Sequence, residues 1–158
     1  MNATSVYDFT MRTIDGKEKP LADYKGKVLL LVNVASQCGL TPQYADLELF
    51  YRQYKDKGVE VLGFPANNFG AQEPGTDEQI QNFCATQYDV TFQMFSKISV
   101  QGEDMHPLYA YLTQTTAKPV QWNFQKFLVS KNGEQIQVFE PVLKVDSPQF
   151  LDFLQKWL

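Results

Sequence analysis

The segment Lys27–Ala35, KVLLLVNVA, is nearly unbroken in apolar residues. A run of this length without polar alternation is what a strand shows when both its faces are covered, as in the middle of a parallel sheet flanked by helices. The next residues fit that placement. Thr41-Pro42 offers an N-cap and a proline at the first helical position, and Tyr44, Leu47, Tyr51 and Tyr54 recur at helical spacing up to Gly58, which predicts a helix over 42–57. Val59–Phe64, VEVLGF, reads as a second buried strand. Strand, helix and strand with short links make a right-handed βαβ unit. The polar, Gly- and Pro-containing PANNFGAQEPG over 65–75 is a loop.

The rest of the chain builds outward from that unit. Residues 5–24 read as a hairpin turning on Asp15-Gly16. Thr76 or Asp77 caps a helix that carries Ile80, Phe83 and Cys84 on one face and ends near Tyr88. A short strand over Met94–Ile98 and a helix from His106 to about Thr115 come next. Phe124–Val129 and Gln135–Phe139 then flank Asn132-Gly133, a strong hairpin signal. The final helix begins at Ser147-Pro148 and carries the apolar stripe Phe150, Leu151, Leu154, Trp157 and Leu158. This order describes one thioredoxin-like α/β domain over 1–158: a central mixed β-sheet flanked by α-helices, with an N-terminal β-hairpin extension. In open sheets of this kind, sites sit beyond the carboxyl ends of the parallel strands.

Composition narrows the function. The chain has 158 residues, and its net charge of −4 argues against nucleic acid or an anionic membrane surface as partner. With 12 Phe, 8 Tyr and 2 Trp it has ample material for a core. The first ten residues show neither a basic n-region nor an apolar h-region, so a cytoplasmic protein is expected. Two cysteines and one histidine assemble no metal-ligand spacing, and the chain holds no CxxC, GxGxxG or GxxxxGK motif. Neither metal nor organic cofactor is expected.

Any chemistry must therefore come from individual side chains. Cys38 lies just past the buried strand and shortly before a helix start, where the positive end of the helix dipole favours a thiolate. On position alone a small buried hydrophobe is an equal alternative. His106 reads as a capping residue. Glu73 and Asp77 read as loop and first-turn charges, not as a glycosidase pair.

Three ordered segments resolve the choice for Cys38. NVASQCGLTPQY (33–44), FPANNFGAQEPG (64–75) and WNFQKFLV (122–129) resemble signature segments of the glutathione peroxidase family, and the likeness extends through VTFQMFSKISVQGEDMHPLY (90–109). The resemblance implies a peroxidase whose thiol is Cys38, supported by Gln72, Trp122 and Asn123, in a cysteine-based, non-selenium member. Neutral donors suit that task, because amide and indole N–H groups stabilise a sulfur anion without titrating. Family members that use thioredoxin carry a second cysteine on the helix after the QEPG loop. By that likeness Cys84 is the resolving cysteine, forming a Cys38–Cys84 disulfide from the sulfenic acid. The alternative is that Cys84 packs with Ile80 and Phe83.

Thioredoxin is the expected reductant over glutathione, because the chain has only Arg12 and Arg52, neither in a matching site segment. Lys126 is the remaining candidate for a point charge near the site, as a contact for substrate or reductant. The chain lacks the insert between Thr116 and Trp122 that tetrameric relatives use, so a monomer or weak dimer is expected. Hydrogen peroxide and organic or lipid hydroperoxides are the implied substrates. Two other readings use the same residues: a redox sensor or relay that passes its oxidation to a partner protein, and a noncatalytic binding module.

Overall fold

The computed structural model describes residues 3–158, so the first two residues of the amino-terminal segment lie outside it. Five strands form the central sheet: β3 (Val28–Val34), β4 (Val59–Pro65), β5 (Gln93–Met94), β6 (Lys126–Val129) and β7 (Ile136–Phe139). Their order is β5-β4-β3-β6-β7. β3 pairs in parallel with β4, and β4 with β5, while β6 runs antiparallel to both β3 and β7. The separate hairpin of β1 (Thr10–Arg12) and β2 (Glu18–Pro20) turns through Gly16 at φ +92°, a conformation that only glycine adopts without strain.

Every residue of β3 is buried, and the reason is visible in how its side chains divide. Val28, Leu30, Val32 and Val34 enter one apolar cluster and Leu29 and Leu31 the other, as the period of two requires. The first cluster is closed by α1 (Gln43–Tyr54), α2 (Asp77–Tyr88) and α4 (Pro148–Gln155) through Tyr44, Leu47, Ile80, Cys84, Phe150 and Leu154. The second is closed by α3 (Pro107–Thr116) and the N-terminal segment through Leu108, Tyr109, Leu112, Val6 and Phe9. The result is the thioredoxin-like sandwich that the element order implied.

Helix boundaries follow local chemistry. Thr76 and Gln79 form a capping box at the start of α2, each side chain accepting the other's backbone N–H, a device whose N-cap is worth about 1 kcal/mol. His106 caps α3 by accepting the Leu108 N–H at 3.0 Å, and Ser147 caps α4. Two expectations shift. The strand expected over 94–98 is only Gln93–Met94, because Ser96 and Lys97 turn instead to Asp77 at the head of α2. Helix α1 begins after Pro42, and the Thr41 hydroxyl serves the Cys38 loop instead of the helix.

Candidate active site

Cys38 sits beyond the carboxyl end of β3, in a turn that Thr41 closes from both sides. The Cys38 N–H donates to Thr41 Oγ1 at 2.9 Å, the Thr41 hydroxyl donates to Ala35 O at 2.8 Å, and the Thr41 N–H donates to Cys38 O at 3.0 Å. This leaves the Leu40 N–H aimed at Cys38 Sγ, 3.3 Å away. A backbone donor on the sulfur favours its anion. Cys38 is 9% exposed, so the sulfur lies just beneath the surface.

Two further loops are tied to this turn. The Gln72 carbonyl accepts the Gln37 N–H at 3.0 Å, docking the 65–75 loop next to Cys38. The Gln72 side chain, half-buried, accepts from Asn123 Nδ2 at 3.0 Å through its Oε1, which leaves its own Nε2 donor free. Asn33, fully buried at the end of β3, fixes the third loop, donating from Nδ2 to Trp122 O at 3.0 Å and accepting the Phe124 N–H on its carbonyl at 2.6 Å. Asn123 is fully buried, whereas Trp122 is 37% exposed with its ring 5.5 Å from that of Phe69. The structure thus brings the loops of Cys38, Gln72, Trp122 and Asn123 together.

Backbone strain marks the same place. Ala71 precedes Gln72 at φ +50°, and Phe124 follows Asn123 at φ +68°. For a residue with a bulky side chain this region costs on the order of 1–3 kcal/mol. Phe124 is held there by the Asn33 carbonyl and by an edge-on contact with Tyr44, 5.4 Å between centroids.

Cys84 occupies a different setting. It is 2% exposed on the inner face of α2, and neither cysteine is in a disulfide. Burial pushes its thiol up to about 11; the Tyr44 hydroxyl facing it pulls the other way, and the Glu73 charge adds to the rise. It packs beside Ile80 in the core, the surroundings named as the alternative to a resolving role.

Two site expectations are corrected. Lys126 offers no point charge to a ligand, because it is fully buried on β6, where its Nζ donates to Gln43 Oε1 at 2.6 Å and Pro141 O at 2.7 Å. Burial lowers its amine to about 7, with Asp46 opposing. Its position opposite Val32 on the inner sheet face is the reason. Glu73 is not a solvated loop charge but is 1% exposed; burial raises its carboxyl, opposed by Ser36 and Lys97. Sequence reasoning also passed over Asn33 and Thr41. A lone polar residue inside the run VLLLVNV was the available signal for Asn33; for Thr41 the helix-cap pattern hid the loop role.

Among the described residues, no group of His, Cys, Asp and Glu is arranged to hold a metal ion, and no helix is long and apolar enough to cross a membrane.

With this geometry in view, comparison with known proteins is direct. Residues 6–113 match the family model described as glutathione peroxidase. The chain is 48% identical over 149 residues to the glutathione peroxidase-like peroxiredoxin 2 of Saccharomyces cerevisiae, covering 91% of this chain and 92% of that one. It is 44% identical over 152 residues to the hydroperoxy fatty acid reductase of Synechocystis, covering 90% of each. The solved apo structure of Trgpx superposes with a TM-score of 0.79 at 35% identity, over 98% of this chain and 96% of that one. A fold, a loop cluster and a sequence that agree over nearly the whole chain leave one assignment: this protein belongs to the glutathione peroxidase family.

Proposed function

We propose that the chain, acting as one domain, is a thiol peroxidase that reduces hydrogen peroxide and organic or lipid hydroperoxides to water or alcohols. The observation that carries this reading is the Leu40 N–H donating to Cys38 Sγ beside the hydrogen-bonded Gln72–Asn123 pair. The Cys38 thiolate attacks one peroxide oxygen, the O–O bond breaks, and the departing alkoxide or hydroxide takes a proton, leaving Cys38 as sulfenic acid. The free Nε2 of Gln72 and the indole N–H of half-exposed Trp122 donate to the charge that develops, and Asn123 holds Gln72 in place. The Cys84 thiol then condenses with the sulfenic acid to give a Cys38–Cys84 disulfide and water.

Thioredoxin is the favoured reductant. Arg52, in the last turn of α1, is committed to Glu48 and Asp89, and Arg12 lies in β1, so neither arginine is placed to receive the carboxylates of glutathione. The name of the yeast relative, a peroxiredoxin, points the same way. That of the cyanobacterial relative, a hydroperoxy fatty acid reductase, supports lipid hydroperoxides as substrates. Free thiols and a thioredoxin donor suit a reducing compartment, the cytoplasm, and the short link from Thr116 to Trp122 suits a monomer or weak dimer.

NADPH oxidation with cumene hydroperoxide, coupled in parallel to thioredoxin with its reductase and to glutathione with its reductase, tests this. Turnover with thioredoxin that is lost in Cys84→Ser is expected; equal turnover with glutathione in that variant would refute the two-cysteine cycle. The deep burial of Cys84 favours one second reading, a relay in which a partner protein captures oxidised Cys38 first. Trapping of a single mixed disulfide by Cys84→Ser, without turnover, would establish the relay.

A further inference from the structure

Lys126 opens β6 shortly after Asn123, and it is fully buried in the sheet opposite Val32. Among the described residues its amine meets two carbonyl oxygens and no carboxylate; Asp46, whose charge acts on it, is turned to Lys144 at 3.8 Å. A lysine buried in this way costs more than a methionine or leucine of similar bulk, so packing alone gives no account of it. The account lies in what its two bonds hold.

The Lys126 Nζ donates to Gln43 Oε1 at 2.6 Å and to Pro141 O at 2.7 Å, and Gln43 Nε2 donates to the same Pro141 oxygen at 2.9 Å. These bonds tie together β6, the first turn of α1 and the segment after β7. Gln43 is the first residue of α1, and this helix start has no side-chain cap: Pro42 makes no capping bond, and the Thr41 hydroxyl is spent on Ala35 O. A helix start without a cap is prone to fray. Here the tie through the Gln43 side chain fixes it. The Gln43 backbone N–H donates to Leu40 O at 2.9 Å, and the Leu40 N–H donates to Cys38 Sγ at 3.3 Å. Three hydrogen bonds, joined through Gln43 and Leu40, thus connect Lys126 with the sulfur.

We propose, on the peroxidase reading above, that Lys126 is a positioning residue for Cys38: through Gln43 it holds the head of α1, and so keeps the Leu40 N–H aimed at the sulfur. Because Lys126 lies on the strand that continues from Trp122 and Asn123, the same tie sets the turn of the nucleophile against the loop of its supporting donors. A Leu40 N–H turned away from the sulfur stabilises the thiolate less, and Cys38 then ionises and reacts less readily. Loss of one proton from the ammonium leaves two N–H donors for the two oxygens, so the tie holds whether the amine is charged or neutral.

Lys126→Met keeps the bulk of the side chain and removes its donors, Gln43→Leu removes the acceptor, and Gln43→Glu keeps it. In these variants and in the double variant of Lys126→Met with Gln43→Leu, Cys38 is followed by rapid-mixing thiol loss with hydrogen peroxide. It is also followed by iodoacetamide labelling from about pH 6 to about pH 10. At about pH 7 both rate constants should fall about tenfold in each single variant and no further in the double variant, because the two residues act as one unit. By about pH 10 the labelling gap should close to about twofold, since a thiol there is ionised without help. Gln43→Glu should stay within about threefold of wild type, because the acceptor remains. A lowered denaturant midpoint in Lys126→Met with wild-type Cys38 rates overturns the inference and leaves the lysine a role in stability alone. Losses that multiply to about 10²-fold in the double variant overturn it too. If Lys126→Met does not fold, Gln43→Leu against Gln43→Glu decides, and equal rates in those two overturn it. Wild-type Cys38 that does not react with hydroperoxide, while the variants still lose labelling rate, overturns the peroxidase reading and leaves the positioning role standing.

Discussion

Cys38 and Cys84 pack into the same apolar cluster on the same face of the sheet, yet their sulfurs meet different surroundings. Cys38 lies in a turn whose backbone presents an N–H to it, with amide side chains on neighbouring loops. Cys84 lies on a helix whose own N–H groups are spent on the helix, and it meets Tyr44 and aliphatic neighbours. Near-equal burial with unequal polarity teaches that, in the proposed cycle, the donors aimed at a sulfur, more than its exposure, set apart the thiol that attacks a peroxide from the one that waits for the second step.

The comparison breaks most sharply at the nucleophile. Cys38→Ser is expected to lower peroxide reduction by at least about 10⁴-fold, measured as hydroperoxide loss, since nothing else in the fold replaces the sulfur. Asn123→Ala removes the donor that holds Gln72 Oε1, and the first-step rate in a rapid-mixing thiol assay should fall about 10²–10³-fold. A smaller contrast separates the thiols without peroxide. With its thiol pushed up to about 11, Cys84 is about 10⁻³ thiolate at pH 8, so iodoacetamide mapping of the native protein should label Cys38 at least about tenfold faster. Equal labelling would erase the distinction.

The smallest effect concerns Lys126. Its folded amine lies near 7, below the usual lysine range, so between about pH 7 and about pH 10 the unfolded chain binds the extra proton. Stability contributed at this position therefore rises with pH across that window. Lys126→Met should flatten the rise in denaturant midpoint from pH 7 to 9; an unchanged rise would mean the amine is solvated.

How far these features could be read in advance depends on how local their causes are. The β3 run, the Thr76 capping box and the Asn132-Gly133 turn depend on neighbours in sequence, and each produced its element. β5 depended on which strand Gln93 and Met94 meet, and it came out short. At the candidate site the motifs located the loops of Cys38, Gln72, Trp122 and Asn123. Burial was harder to read: Lys126 and Glu73 are charged residues enclosed by parts of the chain far away in sequence, Pro141 in one case and Ser36 in the other. Asn33 acts through the backbone of a distant loop and Thr41 through the backbone of its own turn, roles that no residue type announces.

The central claim is that Cys38 is oxidised first and Cys84 answers it. Peptide mapping of the protein quenched after one equivalent of cumene hydroperoxide tests this most directly. The expected product is a single species with the Cys38 and Cys84 peptides joined and no alkylatable thiol left. Cys38 carried on to sulfinic acid, with Cys84 still fully alkylated once the fold is opened, would contradict it.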